Sequence, residues 1–171
     1  MTTDTRAAYR PPARPVVLPL LLALAFLSLA VPVFAARQAS APPKNVKCPV
    51  CGMLVAKYPD WNTAISYRDG STASFDGPKD LFTYYLNPRK YDPGKKRSDI
   101  AVITVKDYYT LAPVDARKAY FVTGSNVLGP MGKELIPFEK RSDAEGFRMD
   151  HQGRRIVRFS EVTLELLKTL E

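Results

Sequence analysis

The chain has 171 residues, 46% of them hydrophobic, and a net charge of +8 with a pI near 9.5. That length accommodates one or two compact units. Apart from Lys95-Lys96-Arg97, its lysines and arginines are scattered and form no basic aromatic face, which argues against nucleic acid as a partner. Two cysteines are too few for a disulfide scaffold.

The hydrophobic share is inflated by the N-terminus. Val16 to Ala36 carries no charge and follows Arg6, Arg10 and Arg14. A basic start, an apolar run and a small-residue end make a secretory signal, with cleavage after Ala35. The run is also long enough to span a bilayer, so residues 1–36 read equally as an uncleaved anchor helix. Either way the arginines stay inside and the rest is placed outside the cytoplasm, secreted or anchored. No cysteine closely follows the run to take a lipid. Beyond residue 35 the charge is still +6, from 22 Lys and Arg against 16 Asp and Glu. Residues 37–47 are a polar Ala/Pro tether.

Folded structure is predicted over 48–171. TAISYR alternates over Thr63–Arg68, Asp69-Gly70 signals a hairpin, and Thr72–Phe75 is a second strand. Asp76-Gly77-Pro78 reads as a helix start with a capping carboxylate, and Asn87-Pro88 as the stop. IAVITVK, Ile100–Lys106, is β-branched and extended.

The second half repeats that order. Ala119–Thr123 is a strand, Gly124 to Gly132 a glycine-rich connection, and Glu134–Phe138 a strand kept at an edge by Pro137. Ser142-x-x-Glu145 is a capping box that opens a helix to about Asp150, which Gly153 closes. Arg155–Phe159 is a strand, and a final helix runs from Glu161 with Ser160 as its cap. The fold class is therefore α+β. Two tandem, related β-β-α-β units, about 60–107 and 118–159, pack together and are followed by a C-terminal helix.

Lys47 to Met53 reads KCPVCGM and holds both cysteines. C-x-x-C spacing alone does not choose a chemistry. A structural zinc site normally takes four protein ligands, and two Cys and one His leave carboxylates to complete it. A redox pair should open a long helix, which GMLVAKYPDWN does not resemble. A disulfide here would close only a short loop. A soft cation remains, since thiolate and thioether sulfur suit Cu(I). Met53 follows Cys51 across Gly52 and is equally suited to filling a core. Met131 lies between Pro130 and Gly132, where core packing is awkward and presenting a thioether is easy. His151 is the sole histidine and is also well placed to complement a helix C-terminus.

Taken in order, C-x-x-C-G-M, Asp107-Tyr108-Tyr109-Thr110, Phe121-Val122-x-Gly124-Ser125 and Gly129-Pro130-Met131-Gly132-x-Glu134-Leu135-Ile136-Pro137-Phe138 resemble the NosL family over Cys48 to Phe159. That resemblance implies two related β-β-α-β units, similar in topology to organomercurial lyase. It implies a periplasm-facing Cu(I) metallochaperone, not an enzyme. The copper-receiving enzyme would be nitrous oxide reductase, served together with a membrane copper-transfer complex. The implied ligands are Cys51, Met53, Met131 and His151, with Cys48 at the other C-x-x-C position. Members typically carry a lipid-modified cysteine at the signal cleavage site, and this chain departs from that. The competing readings are a thiol-disulfide oxidoreductase, or a lyase using Cys48, Cys51 and a carboxylate such as Asp60.

Overall fold

The computed structural model describes residues 44–171. The apolar leader, 1–36, and most of the tether lie outside them. No helix among the described residues is long and apolar enough to cross a membrane.

The protein is α+β. Strand β1 (Thr63–Tyr67) pairs antiparallel with β2 (Thr72–Phe75) and with β3 (Ile100–Lys106). A short β4 (Pro113–Asp115) adds to β3, giving the order β2-β1-β3-β4. Helix α1 (Pro78–Leu86) and a single turn, α2 (Pro88–Tyr91), connect β2 to β3. The second sheet has the order β6-β5-β7, from β5 (Tyr120–Gly129), β6 (Gly132–Phe138) and β7 (Arg155–Arg158). Helix α3 (Arg141–Asp150) precedes β7, and α4 (Leu164–Lys168) follows it.

Helix α1 lies at the heart of the main core. Leu81 and Phe82 are fully buried among Ile65, Ile103, Phe121, Leu135 and Val157, so residues of both sheets share one apolar interior. Phe82 meets Phe121 edge-on with ring centroids 5.1 Å apart. Burying a phenylalanine contributes roughly 2–3 kcal/mol, and such a pair adds about 1 kcal/mol. The opposite face of the second sheet has its own cluster of Val122, Ile136, Phe138, Ala144 and Phe147, which α3 covers. Alternation along β5 and β6 produces the division. Phe121 and Leu135 point to one core, while Val122 and Ile136 point to the other.

Several boundaries differ from the sequence expectation. The glycine-rich connection is largely strand. β5 continues through Gly124 and Ser125 to Gly129, with an irregularity between Thr123 and Leu128. Gly124 sits at φ +73, and a methyl group there would come 2.8 Å from the Arg154 side chain. The turn is then only Pro130-Met131, which puts Met131 at a hairpin tip. Pro137 does lie on an edge strand.

Ser142-x-x-Glu145 is not a capping box. Helix α3 starts two residues earlier than that box requires, with Lys140 at its N-cap, and Glu145 pairs with Arg141 at 2.8 Å. Its end is a Schellman turn. Gln152 takes the left-handed conformation at φ 56, and the Gly153 N–H donates to the Arg148 carbonyl at 2.8 Å. The last helix begins at Leu164, capped by Thr163, whose hydroxyl accepts from the Leu166 N–H. Ser160 lies instead in a separate 3-10 turn, Phe159–Glu161.

Candidate metal centre

The cysteine stretch folds as a tight knuckle. Lys47 pairs with Leu54, the Cys48 N–H donates to the Met53 carbonyl at 2.8 Å, and the Gly52 N–H returns to the Cys48 carbonyl at 2.9 Å. Gly52 sits at φ +78, a conformation a side chain would strain. Val55 is fully buried and pins the knuckle to the main core. Cys48 is buried, Cys51 is half-buried, and both are free thiols.

Both thiols meet carboxylates at the start of α1, Asp80 in its first turn and Asp76 just before its N-cap. Cys48 Sγ donates to Asp80 Oδ2 at 3.2 Å, and Cys51 Sγ donates to Asp76 Oδ1 at 3.3 Å. One donor atom from each of Cys48, Cys51, Asp76 and Asp80 lies within 4.8 Å of all the others. Asp76 is fully buried, and its second oxygen, Oδ2, has no hydrogen-bond partner among the described residues. A buried carboxylate oxygen without a partner is costly, and it marks a place where a cation is favoured.

Burial raises the pKa values of the cluster. It pushes the Cys51 thiol up to about 12, helped by the nearby Asp80 carboxylate. Cys48 is raised further by its deeper burial. Asp80 is raised by burial and by the charge of Asp76, which outweigh the hydrogen bonds from the thiols. Without a metal the thiols therefore stay protonated and act as donors to the carboxylates.

Asp76 is not the helix cap that the sequence suggested. The N-cap is Gly77, with no side-chain cap of its own. A carboxylate from β6 takes that role. Glu134 Oε1 accepts from the Lys79 N–H at 2.5 Å and from the Leu135 N–H at 2.9 Å. Only glycine fits at position 77, since a methyl there would stand 2.5 Å from Glu134 Oε2. Burial pushes Glu134 up to about 8 against those two donors.

Lys79 completes the link. Its Nζ donates to the Met131 carbonyl at 2.6 Å, so the helix that carries Asp80 also holds the Pro130-Met131 turn. Met131 is 41% exposed and Met53 is half-buried. His151 is not in the four-residue cluster. It closes α3 and stacks on Phe147 at 4.3 Å, on the side of the second sheet away from the core that holds Cys48. Asp60 also lies outside the cluster, beside Trp61 and Tyr108 at a surface cavity of about 320 Å³. Sequence reasoning missed Asp76 and Asp80 as donors and Glu134 as a cap. Their one available signal was D-G-P-K-D, which puts one carboxylate just before a helix and another in its first turn.

A dithiol, buried at Cys48 and half-buried at Cys51, facing paired carboxylates on an α+β scaffold defines a candidate metal-handling protein. The NosL family description matches residues 40–167, and the chain belongs to that family. It is 27% identical over 124 residues to the copper-binding lipoprotein NosL of Stutzerimonas stutzeri. That match covers 71% of this chain, and the chain spans 64% of the length of that curated relative. The fold is similar to the crystal structure of the copper chaperone NosL from Shewanella denitrificans. There the TM-score is 0.63 and the identity 28%, over 75% of this chain and 97% of the other. The solution structure of apo-NosL from Achromobacter cycloclastes matches at 23% identity and a TM-score of 0.45, over 61% of this chain and 87% of that one.

Proposed function

We propose that the protein is an extracytoplasmic Cu(I) metallochaperone, not an enzyme, which passes copper to a receiving enzyme. Family membership and the copper-binding names of two relatives support the metal. The observation that carries the reading is the pair of free thiols held against α1, the same helix that holds the Met131 turn. Cys51 is the principal ligand, because a thiolate is the strongest soft donor available. Cys48, Met53 and Met131 supply the other sulfurs. His151 belongs to the set only if copper draws it in from its stack on Phe147.

In this reading a signal or anchor at 1–36 puts the domain 48–171 outside the cytoplasm, tethered by 37–47. The two halves, about 60–107 and 118–159, are related units, and the shared strand orders β2-β1-β3 and β6-β5-β7 favour that. Release follows from the split between the Cys knuckle and the Met131 hairpin tip. Moving one part lets a partner's ligands replace the protein's own, one at a time. The receiving enzyme is nitrous oxide reductase, together with a membrane copper-transfer complex, by family likeness.

The test is anaerobic transfer. Cu(I)-loaded protein is mixed with copper-free nitrous oxide reductase in the presence of a chelator that captures any free Cu(I). Enzyme activity should appear with the loaded wild type and fail with Cys51→Ser prepared identically. No transfer from loaded wild type would defeat the delivery role.

A further inference from the structure

We propose that Arg89, Lys90, Lys95, Lys96 and Arg97 form a docking site for the phosphate headgroups of an anionic phospholipid bilayer. It goes beyond the copper reading and does not depend on it.

The five cations converge from two segments. Arg89 and Lys90 belong to α2, and Lys95, Lys96 and Arg97 come from the stretch leading to β3. They line one surface hollow of about 580 Å³, with Leu86 and Pro88 in its wall and no acid among its lining residues. Like charges gathered around one hollow repel one another, and an anionic surface relieves that repulsion. Two of the five are fixed in place. Arg97 donates from Nε to the Tyr85 carbonyl at 2.8 Å and from Nη2 to the Leu86 carbonyl at 2.9 Å. It thereby offsets the negative end of α1 and keeps further N–H groups for a phosphate. Lys95 pairs with Asp69 and lies over the Tyr67 ring, 4.7 Å from its centre.

The acids beside the hollow do not neutralise it. Asp92 Oδ1 accepts from the Gly94 N–H at 3.2 Å, and Asp99 Oδ2 accepts from the Lys96 N–H at 3.0 Å. Five cations against Asp69, Asp92 and Asp99 leave +2. Arg89, Lys90 and Lys96 are exposed and have no carboxylate partner among the described residues. The aromatic rings point to a bilayer. Arg97 lies 4.8 Å from the centre of the Tyr85 ring, and Lys90 Nζ 5.0 Å from that of Tyr91. Cations over tyrosines, with apolar Leu86 and Pro88 between them, suit the boundary between headgroups and acyl chains. The +6 charge beyond residue 35 draws the whole body toward such a surface. The nine residues of α1, at about 1.5 Å each, separate this hollow from the cysteine knuckle at the other end of the helix. A bilayer at the basic end leaves the sulfur end uncovered.

The test places the full, copper-free chain in nanodiscs and reads amide hydrogen exchange by segment. One set of discs is wholly phosphatidylcholine, and the other carries about 30% phosphatidylglycerol. Amides of 86–97 should exchange at least about fivefold more slowly in the anionic discs, and about 1 M salt, with a Debye length of about 3 Å, should remove the difference. Combining Arg89→Glu, Lys90→Glu and Lys96→Glu should abolish it. All three side chains are exposed, so Cu(I) binding should be unchanged. Equal exchange of wild type in the two discs would overturn the proposal, and that comparison stands by itself should the variant fail to fold. Protection that survives in a folded variant would overturn it too. So would equal protection by inorganic phosphate in phosphatidylcholine discs, which would mark a site for a free anion. No copper is present, so failure here leaves the copper reading standing.

Discussion

Glu134 accepts a hydrogen bond from the backbone N–H of Lys79, 55 residues earlier in the chain, at 2.5 Å. Lys79 in turn reaches from α1 to the carbonyl of Met131, three residues before Glu134. The two contacts form a reciprocal clamp between the helix that carries Asp80 and the hairpin that carries Met131. A helix start is usually capped by the side chain of its own N-cap residue. Here the cap comes from the other sheet, and that fixes the methionine turn to the thiol-bearing side of the molecule.

Lys79→Met should therefore act on copper through Met131. Its stability cost should be small, about 1–2 kcal/mol for the two hydrogen bonds that Nζ donates, to the Met131 carbonyl and, at 3.3 Å, to the Leu170 carbonyl. Met131→Ala should weaken Cu(I) binding in the wild type but add little in the Lys79→Met background. A double-mutant cycle of Cu(I) affinities reads this directly. Fully additive losses would mean that the clamp does not position the thioether.

Glu134 also makes stability depend on pH. Its pKa is raised to about 8 in the folded state, mainly by burial, against about 4.3 in the unfolded chain. The folded state thus holds the proton more tightly. This contribution is complete below the unfolded value, declines as pH rises, and is gone above about 8. Glu134→Gln mimics the protonated form and should flatten the urea stability profile across that window. An unchanged slope would place the titration elsewhere.

Asp107 should show the opposite sign. Burial works to raise its pKa. Donors from Glu139 N, Thr110 N, Thr110 Oγ1 and Tyr109 N outweigh burial and hold it below the usual carboxylate range. Its stabilisation is present above the unfolded pKa and lost as pH falls through the folded one. Those bonds fold the D-Y-Y-T turn and tie it to the end of β6. Asp107→Asn should cost about 2–3 kcal/mol at neutral pH by denaturant titration, with a smaller deficit in acid. A loss that did not shrink on acidification would contradict the ionised assignment.

Copper affinity should rise with pH beyond the range of an ordinary thiol. Metal binding must displace the proton from Cys51, whose pKa is pushed up to about 12. An unperturbed thiol near 8.5 would let the affinity level off above about pH 9. Continued gain in apparent Cu(I) affinity above that point is expected. If His151 joins the site, His151→Ala should weaken Cu(I) binding, and an unchanged affinity would remove it from the ligand set.

Much of this fold was legible from local pattern. TAISYR and IAVITVK are strands because their β-branched, alternating residues fit a half-buried pleat, and β1, β3 and α1 lie close to where those signals put them. The misses have physical causes. Gly124 to Gly129 reads as loop, yet Gly124 is there to let β5 bend at its irregularity. Ser142 and Glu145 have capping-box spacing, but Arg141 captures Glu145. At the site, the cysteines stood out by chemistry, while Asp76 was assigned to its nearest helix. Its actual partner, Cys51, is 25 residues away, and the cap that replaces it comes from 55 residues away. Local sequence rules cannot register partners brought together only by the packing of α1 against both sheets.

The most direct test of the copper account is an anaerobic Cu(I) titration against a competing chelator, with wild type and Cys51→Ser run side by side. The account predicts one tightly bound Cu(I) per wild-type chain and a loss of at least a hundredfold in the variant. A folded Cys51→Ser protein that held Cu(I) as tightly as wild type would contradict it.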